Sequence, residues 1–383
     1  MARRVSRSTV RGVAACLVAG CLLLGTGCTA SGRSLVSSPT PSGTAAIDED
    51  VTLTLEEHDP HHGLRAVLVL EHGVTAYERY IESSAEDYWD IRSVGKSFTG
   101  TLIGIAIDAG LIRGPDATLG ELLPRWADYL TPETSSIPLS AVLTHTANFL
   151  QEGTGPGWVW SAPDVVGAIL TQRAGAGPGD GLFLYSSAGS HLLAAILVEA
   201  SGMPVLEFAR QHLFDPLGIP STPALEQTAP FPAEDDVAQT QAYDDAEFAW
   251  PKDAQGVHMG HGLLRLRPSD LARLGQLYLD RGRWEGAQVV SEHWIDQARA
   301  PQVEVPDRRG YTDHYGFQWW VSAADGFSAA IGLGGTVIVM DAALDVVVVV
   351  ASEIRAGQAP EEAMIAGNSL ALATTILDEF RAT

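Results

Sequence analysis

The run Ser93-Val94-Gly95-Lys96 sets a hydroxyl and an amine three residues apart. On a helix that spacing brings both onto one face within hydrogen-bond reach, so Lys96 can take the proton Ser93 must lose to attack a carbonyl. An amine suits this work because desolvation lowers its pKa, whereas a guanidinium keeps its proton in proteins. The chain uses lysine only twice, at Lys96 and Lys252, against 22 arginines, and Lys96 opens an apolar run where a charge is costly. A chain that prefers arginine and places a lysine there needs an amine. The pattern alone also occurs by chance, and its bland alternative is a solvated lysine beside a helix-capping serine. The chemistry of the active alternative is acyl transfer through a covalent serine intermediate.

Such a pair needs a rigid seat. Residues Ser97 to Ile112 are apolar on nearly every face, which predicts a central helix buried all round. Before it, Arg65 to Leu70 and Val74 to Tyr80 flank His72-Gly73 and read as a β-hairpin. Between Pro138 and Gly218 the periodicity is mostly helical, as in His191 to Ala200 and Val205 to His212, with Gly/Pro-rich loops between. Strand character returns in Gly316 to Val321, Thr336 to Met340 and Val346 to Val350, and a helix from Pro360 to Phe380 closes the chain. Strands at both ends of a helical middle predict an α/β (α+β) architecture: an antiparallel sheet flanked by helices, with a helical lobe inserted over about residues 136–235.

The run Asp90-Ile91-Arg92-Ser93-Val94-Gly95-Lys96-Ser97-Phe98-Thr99-Gly100 resembles the nucleophile helix of the class C β-lactamase and penicillin-binding-protein superfamily. The branch it is most similar to contains esterases and 6-aminohexanoate-dimer hydrolases. Pro138 to Thr146, Phe183 to Ala195, Gly260 to Leu277 and Tyr315 to Val321 follow in the family's order, so the resemblance spans about residues 64–380. It implies a β-lactamase/transpeptidase-like fold with the site between an α/β lobe and a helical lobe. Tyr185-Ser186-Ser187 stands at the family's Y-x-N motif, which implies that Tyr185 relays protons to the leaving group. Ser187 replaces the asparagine, which counts against β-lactamase activity. At the family's K-T-G or H-x-G the chain has Gly332-Leu333-Gly334-Gly335, without a cation. That counts against penicillins and D-Ala-D-Ala termini and for neutral or differently charged acyl groups. By the same resemblance, the N–H groups of Ser93 and Gly335 are expected to form the oxyanion hole, with Gly334 letting substrate close to the backbone. Tyr243 and Trp250 precede Asp253 and Gly256 in a stretch similar to the family's substrate loop and are expected to line the acyl pocket.

The function implied is an ester or amide hydrolase. Two alternatives stay open: a β-lactamase or D,D-carboxypeptidase, and a lipid-anchored protein that binds without turnover. No cofactor is called for. His58, His61 and His62 lack regular ligand spacing, so no metal site is expected there. His145, His258 and His261 are expected near the cleft without a required role.

The formal net charge is −23, and removal of the four leader arginines leaves about −27. No Lys/Arg-rich run follows, so nucleic acid and anionic headgroups are not expected partners. Residues 1–27 read as an export signal, basic and then apolar over Gly12 to Gly27, too short to span a bilayer. All three cysteines, Cys16, Cys21 and Cys28, lie in or just after it, leaving no possible disulfide in the body. Leu24-Gly25-Thr26-Gly27-Cys28 resembles a bacterial lipobox, with Gly25 where the family has leucine. Cys28 is the expected lipidation site, and simple secretion is the alternative. Residues 28–50 read as anchor and linker, and 51–383 as the hydrolase domain.

Overall fold

The computed structural model describes residues 41–58, 63–150, 157–172, 181–228, 237–306, 311–354 and 366–382. The expected export segment, Cys28, His61 and His62 lie outside them. An eight-stranded antiparallel sheet runs edge to edge as Val74–Tyr80, Leu64–Glu71, Val346–Ser352, Val337–Asp341, Phe327–Ile331, Trp320–Ser322, His314–Tyr315 and Val303–Glu304. The expected hairpin is its first pair, and the chain's two ends meet where Val67 pairs with Val350. The inner strands are buried at almost every position and mostly apolar because both faces are covered. Val347 and Val349 point into the cluster containing Leu271 and Leu274 of the helix Pro268–Leu279. Val346, Val348 and Val350 point into the cluster holding Ala373 and Leu377 of the closing helix. That helix is described over Ala366–Arg381; its expected start at Pro360 lies outside the described residues.

Two expectations change. The tether read over residues 28–50 is helix from Pro41, within Pro41–His58, and Ile47 and Val51 are buried against the closing helix. The Ser/Thr/Ala-rich composition concealed two aliphatic side chains four apart, enough for one apolar stripe. The strand expected over Gly316 to Val321 divides into His314–Tyr315 and Trp320–Ser322, with Gln318 at φ +62° in the turn between them. Phe327–Ile331 is a strand that its small residues, FSAAI, did not announce.

The predicted central helix is Gly95–Asp108, buried from Gly95 through Ala106. It packs on the helix Ser187–Ser201 and borders the sheet through Gln318. Its buried hydroxyls are each bonded: Ser97 Oγ donates to the Gln318 carbonyl (2.7 Å), Thr99 Oγ1 to that of Gly260 (2.9 Å), and Thr101 Oγ1 pairs with the Tyr278 hydroxyl (2.9 Å). A helix so tied on three sides holds its first turn still.

Candidate active site

Ser93 sits on a single 3-10 turn, Arg92–Val94, at the entrance to the central helix. The turn is built under constraint. Asp90 Oδ1 accepts the Arg92 N–H at 2.8 Å, Ile91 N–H donates to the Leu264 carbonyl at 3.0 Å, and Arg92 is left-handed at φ +51°. Non-glycine residues seldom adopt that conformation, and such strain gathers at functional sites. Behind the turn, a Cβ on Gly262 would lie 2.9 Å from the Arg92 carbonyl oxygen, and one on Gly95 would lie 3.2 Å from Gly262 Cα. The missing side chains let the segment around His261 close on the turn that carries Ser93.

That closure completes the surroundings of Lys96, which is 1% exposed. Its Nζ donates to Ser93 Oγ at 2.9 Å, to Ser187 Oγ at 3.0 Å and to the His261 carbonyl at 3.1 Å. The Tyr185 ring centroid lies 4.9 Å from the same nitrogen. Ser187 begins the helix Ser187–Ser201, and Ser186 caps it by accepting the Gly189 N–H at 3.0 Å. Tyr185 is placed just before the cap: its ring stacks on Trp320, with centroids 5.4 Å apart and planes at 26°, and lies 4.8 Å from the His145 ring. The His145 carbonyl accepts the Leu184 N–H at 2.8 Å and so fixes the approach to Tyr185.

Burial, followed by the nearby Lys96 charge, holds the imidazoles of His145 and His261 well below the ordinary histidine range. Both rings are therefore neutral at neutral pH and bring no cation to Lys96. His191 and Asp253, both fully buried, pair at 3.1 Å, and Asp253 also accepts the N–H groups of Gln255 and Val257 at 2.9 Å. This clamps the loop leading to His261. Among the described residues no group of three or more His, Cys, Asp or Glu side chains could hold a metal ion.

The structure brings Ser93, Lys96, Tyr185 and Ser187 together and leaves other candidates out. The Gly335 N–H donates to the Gly332 carbonyl at 3.1 Å, closing its own turn, and its α-carbon faces Ser369 and Ser352. It is not available as an oxyanion donor. Gly334 faces Ile354. Gly332 is the residue that meets the site, since a Cβ there would lie 2.6 Å from the Ile91 carbonyl oxygen and 3.2 Å from Arg92 Cβ. Trp250 belongs to the core: it is 1% exposed, donates its indole N–H to the Met259 carbonyl at 3.0 Å and packs on Phe214 and His258. Tyr243 is buried beside Asp90 and under the Arg265 guanidinium, and burial pushes its phenol well up, so it shapes the floor as a neutral phenol. Neither lines an acyl pocket by an exposed face. Sequence reading passed over Arg92, Gly262 and the His261 carbonyl. The left-handed backbone and the backbone acceptor have no signature in residue types, and the glycine was one of 39.

Comparison with known proteins agrees with this fold. The family described as beta-lactamase matches residues 57–372. A 6-aminohexanoate-dimer hydrolase from Paenarthrobacter ureafaciens is 27% identical over 311 residues, covering 74% of this chain and 71% of its own. Among solved structures, EstA from Arthrobacter nitroguajacolicus Rue61a has a TM-score of 0.64 at 15% identity, with 91% of this chain and 99% of that one covered. A beta-lactamase from Sulfitobacter sp. EE-36 has a TM-score of 0.63 at 18% identity, with 89% and 99% covered. At these identities the structural likenesses concern the fold.

Proposed function

This chain belongs to the beta-lactamase family of hydrolases, and on that premise we propose that it cleaves a carboxylic ester or linear amide through an acyl-enzyme on Ser93. The observation that carries the proposal is the 2.9 Å contact between the buried Lys96 amine and the Ser93 hydroxyl. In the first step Lys96 acts as a neutral amine, its two N–H groups kept by Ser187 Oγ and the His261 carbonyl, and its lone pair takes the hydroxyl proton as Ser93 Oγ bonds to the acyl carbon. The negative charge on the carbonyl oxygen is met by the Ser93 N–H and by a donor from the 332–335 turn. With the N–H groups of Gly332 and Gly335 already bonded inside the turn, that donor is left to Leu333 or Gly334. Tyr185 passes the proton to the leaving group, and water, activated by the same groups, releases the acyl chain.

Ser187 and the cation-free turn at residues 332–335 favour esters and linear amides over β-lactams. Purified protein, freed of its N-terminal segment, should turn over a chromogenic short-chain ester many times. A single stoichiometric burst would identify a binder that acylates without turnover, and no reaction would remove the hydrolase assignment of Ser93. We further propose that Cys28 carries a lipid that holds the enzyme at the outer face of the cell membrane, on the strength of the lipobox-like run. Fatty-acid analogue labelling should mark the wild type and not Cys28→Ser; an unlabelled wild type sinks it.

A further inference from the structure

The residue immediately before the nucleophile is an arginine held from both ends by one carboxylate. Asp90 Oδ1 accepts the Arg92 backbone N–H at 2.8 Å, and Asp90 Oδ2 lies 3.1 Å from Arg92 Nε. The carboxylate is nearly buried, at 9% side-chain exposure, while the guanidinium is 36% exposed. One edge of the fork is thus pinned, and neither Nη of Arg92 has an acceptor among the described residues. Its neighbours differ. Arg265 bonds to the carbonyls of Ala246 and Tyr88, and Arg267 to Asp270 and Glu86, so their donors hold the fold together.

Position strengthens the contrast. Gly332 packs directly on Arg92, so Arg92 stands against the turn where a substrate-facing cation is missing and Leu333 is exposed instead. Its left-handed backbone, φ +51°, suits glycine, yet the chain keeps a long cationic side chain there. Asp90, Tyr243 and Asp244 surround the guanidinium and keep it charged. In a protein of net charge −23 the long-range field repels anions, so an anionic substrate group needs a specific local cation.

We propose that Arg92 recognises a carboxylate carried by the substrate close to the scissile carbonyl, using the Nη edge that Asp90 leaves unoccupied. A planar fork presents parallel N–H donors that match a carboxylate, which an ammonium cannot reproduce. The proposal rests on Ser93 being the nucleophile and narrows the substrate class to esters or amides with an anionic arm. It makes Arg92 a specificity-determining residue and not part of the proton-transfer unit.

The test is a ratio of kcat/KM values in two matched pairs. In the first pair, mono-4-nitrophenyl adipate against 4-nitrophenyl hexanoate, the carboxylate is on the acyl side. In the second, 3-(hexanoyloxy)propanoate against propyl hexanoate, it is on the leaving side. The wild type should favour the anionic member of one pair, which identifies the side. Arg92→Gln should lower that ratio by about 10- to 100-fold, the range for a lost hydrogen bond to a charged group. Arg92→Lys should lower it less. Arg92→Gly, comfortable at a positive φ, should behave as Arg92→Gln and guards against a folding artefact. A merely structural arginine moves both members of a pair together, so ratios unchanged across the variants overturn the proposal. A second arm does not need turnover: calorimetric binding of adipate to Ser93→Ala should weaken by a similar factor when Arg92→Gly is added. Failure of ester hydrolysis with this binding intact would fault the hydrolase reading alone, and equal adipate binding by both proteins would fault Arg92.

Discussion

The Ser187 hydroxyl accepts a hydrogen bond from Lys96 Nζ at 3.0 Å, across 91 residues of chain. Together with Ser93 Oγ and the His261 carbonyl it gives one buried amine three oxygen acceptors from three separate elements. Ser93, Lys96 and the first residue of the helix Ser187–Ser201 are thereby tied to a single nitrogen.

If that nitrogen is the base, Lys96→Arg should abolish acylation although charge is kept, because a guanidinium cannot accept the Ser93 proton. Tyr185→Phe should lower kcat by roughly 10²- to 10⁴-fold while a thermal melt stays near the wild type. Combined substitutions at Ser93, Lys96 and Tyr185 should be far from additive, since the three act as one unit. A folded Lys96→Arg variant with near wild-type ester turnover would falsify the mechanism.

Ser187→Ala removes one of the acceptors that aim the amine. We expect kcat to fall by about 10-fold, in line with a lost hydrogen bond to a charged or polarised group, with little change in KM. Steady-state kinetics on a short-chain ester decides it; an unchanged kcat would make Ser187 a bystander.

The cation-free turn at residues 332–335 predicts a substrate ranking. Short-chain esters should exceed penicillins in kcat/KM by orders of magnitude, measured side by side with a cephalosporin reporter, D-Ala-D-Ala peptides and linear amide dimers. Efficient penicillin turnover would contradict it.

Acid should destabilise this fold early. Burial holds His145 and His261 well below their ordinary pKa of 6.5 and lowers His258 to about 4, despite the opposing pull of Glu226. Below pH 6.5 the unfolded chain takes up protons that the folded chain refuses. Stability present above 6.5 is therefore lost as pH falls toward 4, by up to about 1.4 kcal/mol per pH unit for each imidazole. Carboxylates titrate lower, while His72, whose pKa is raised by its hydrogen bond to Asp345, works against the trend, so melts between pH 7 and pH 5 are compared between wild type and variant. His258→Gln should flatten the slope by close to one proton's worth, and an equally steep slope in that variant would assign the acid sensitivity elsewhere.

How much of this was legible beforehand follows from what each kind of information can carry. Ser93 and Lys96 were readable because a spacing of three is a local property of the chain, and one of only two lysines, set in an apolar run, marks a chemical need. The buried helix behind them, the hairpin of Leu64–Glu71 and Val74–Tyr80, and the strand Val346–Ser352 were equally local, written in apolar periodicity. Tyr185 and Ser187 came from a motif resembling a known family, but not their distances to Lys96. What only tertiary structure decided was backbone direction. The loss of Gly335 as an oxyanion donor turned on which carbonyl its N–H met within its own turn. Trp250 went to the core because Met259 and Phe214 close over it. The His261 carbonyl reached Lys96 because Gly95 and Gly262 lack side chains where two segments, distant in sequence, cross. Residue types fix which groups are present, whereas packing between remote segments fixes which way an N–H, a carbonyl or a guanidinium edge faces, and catalysis depends on that direction.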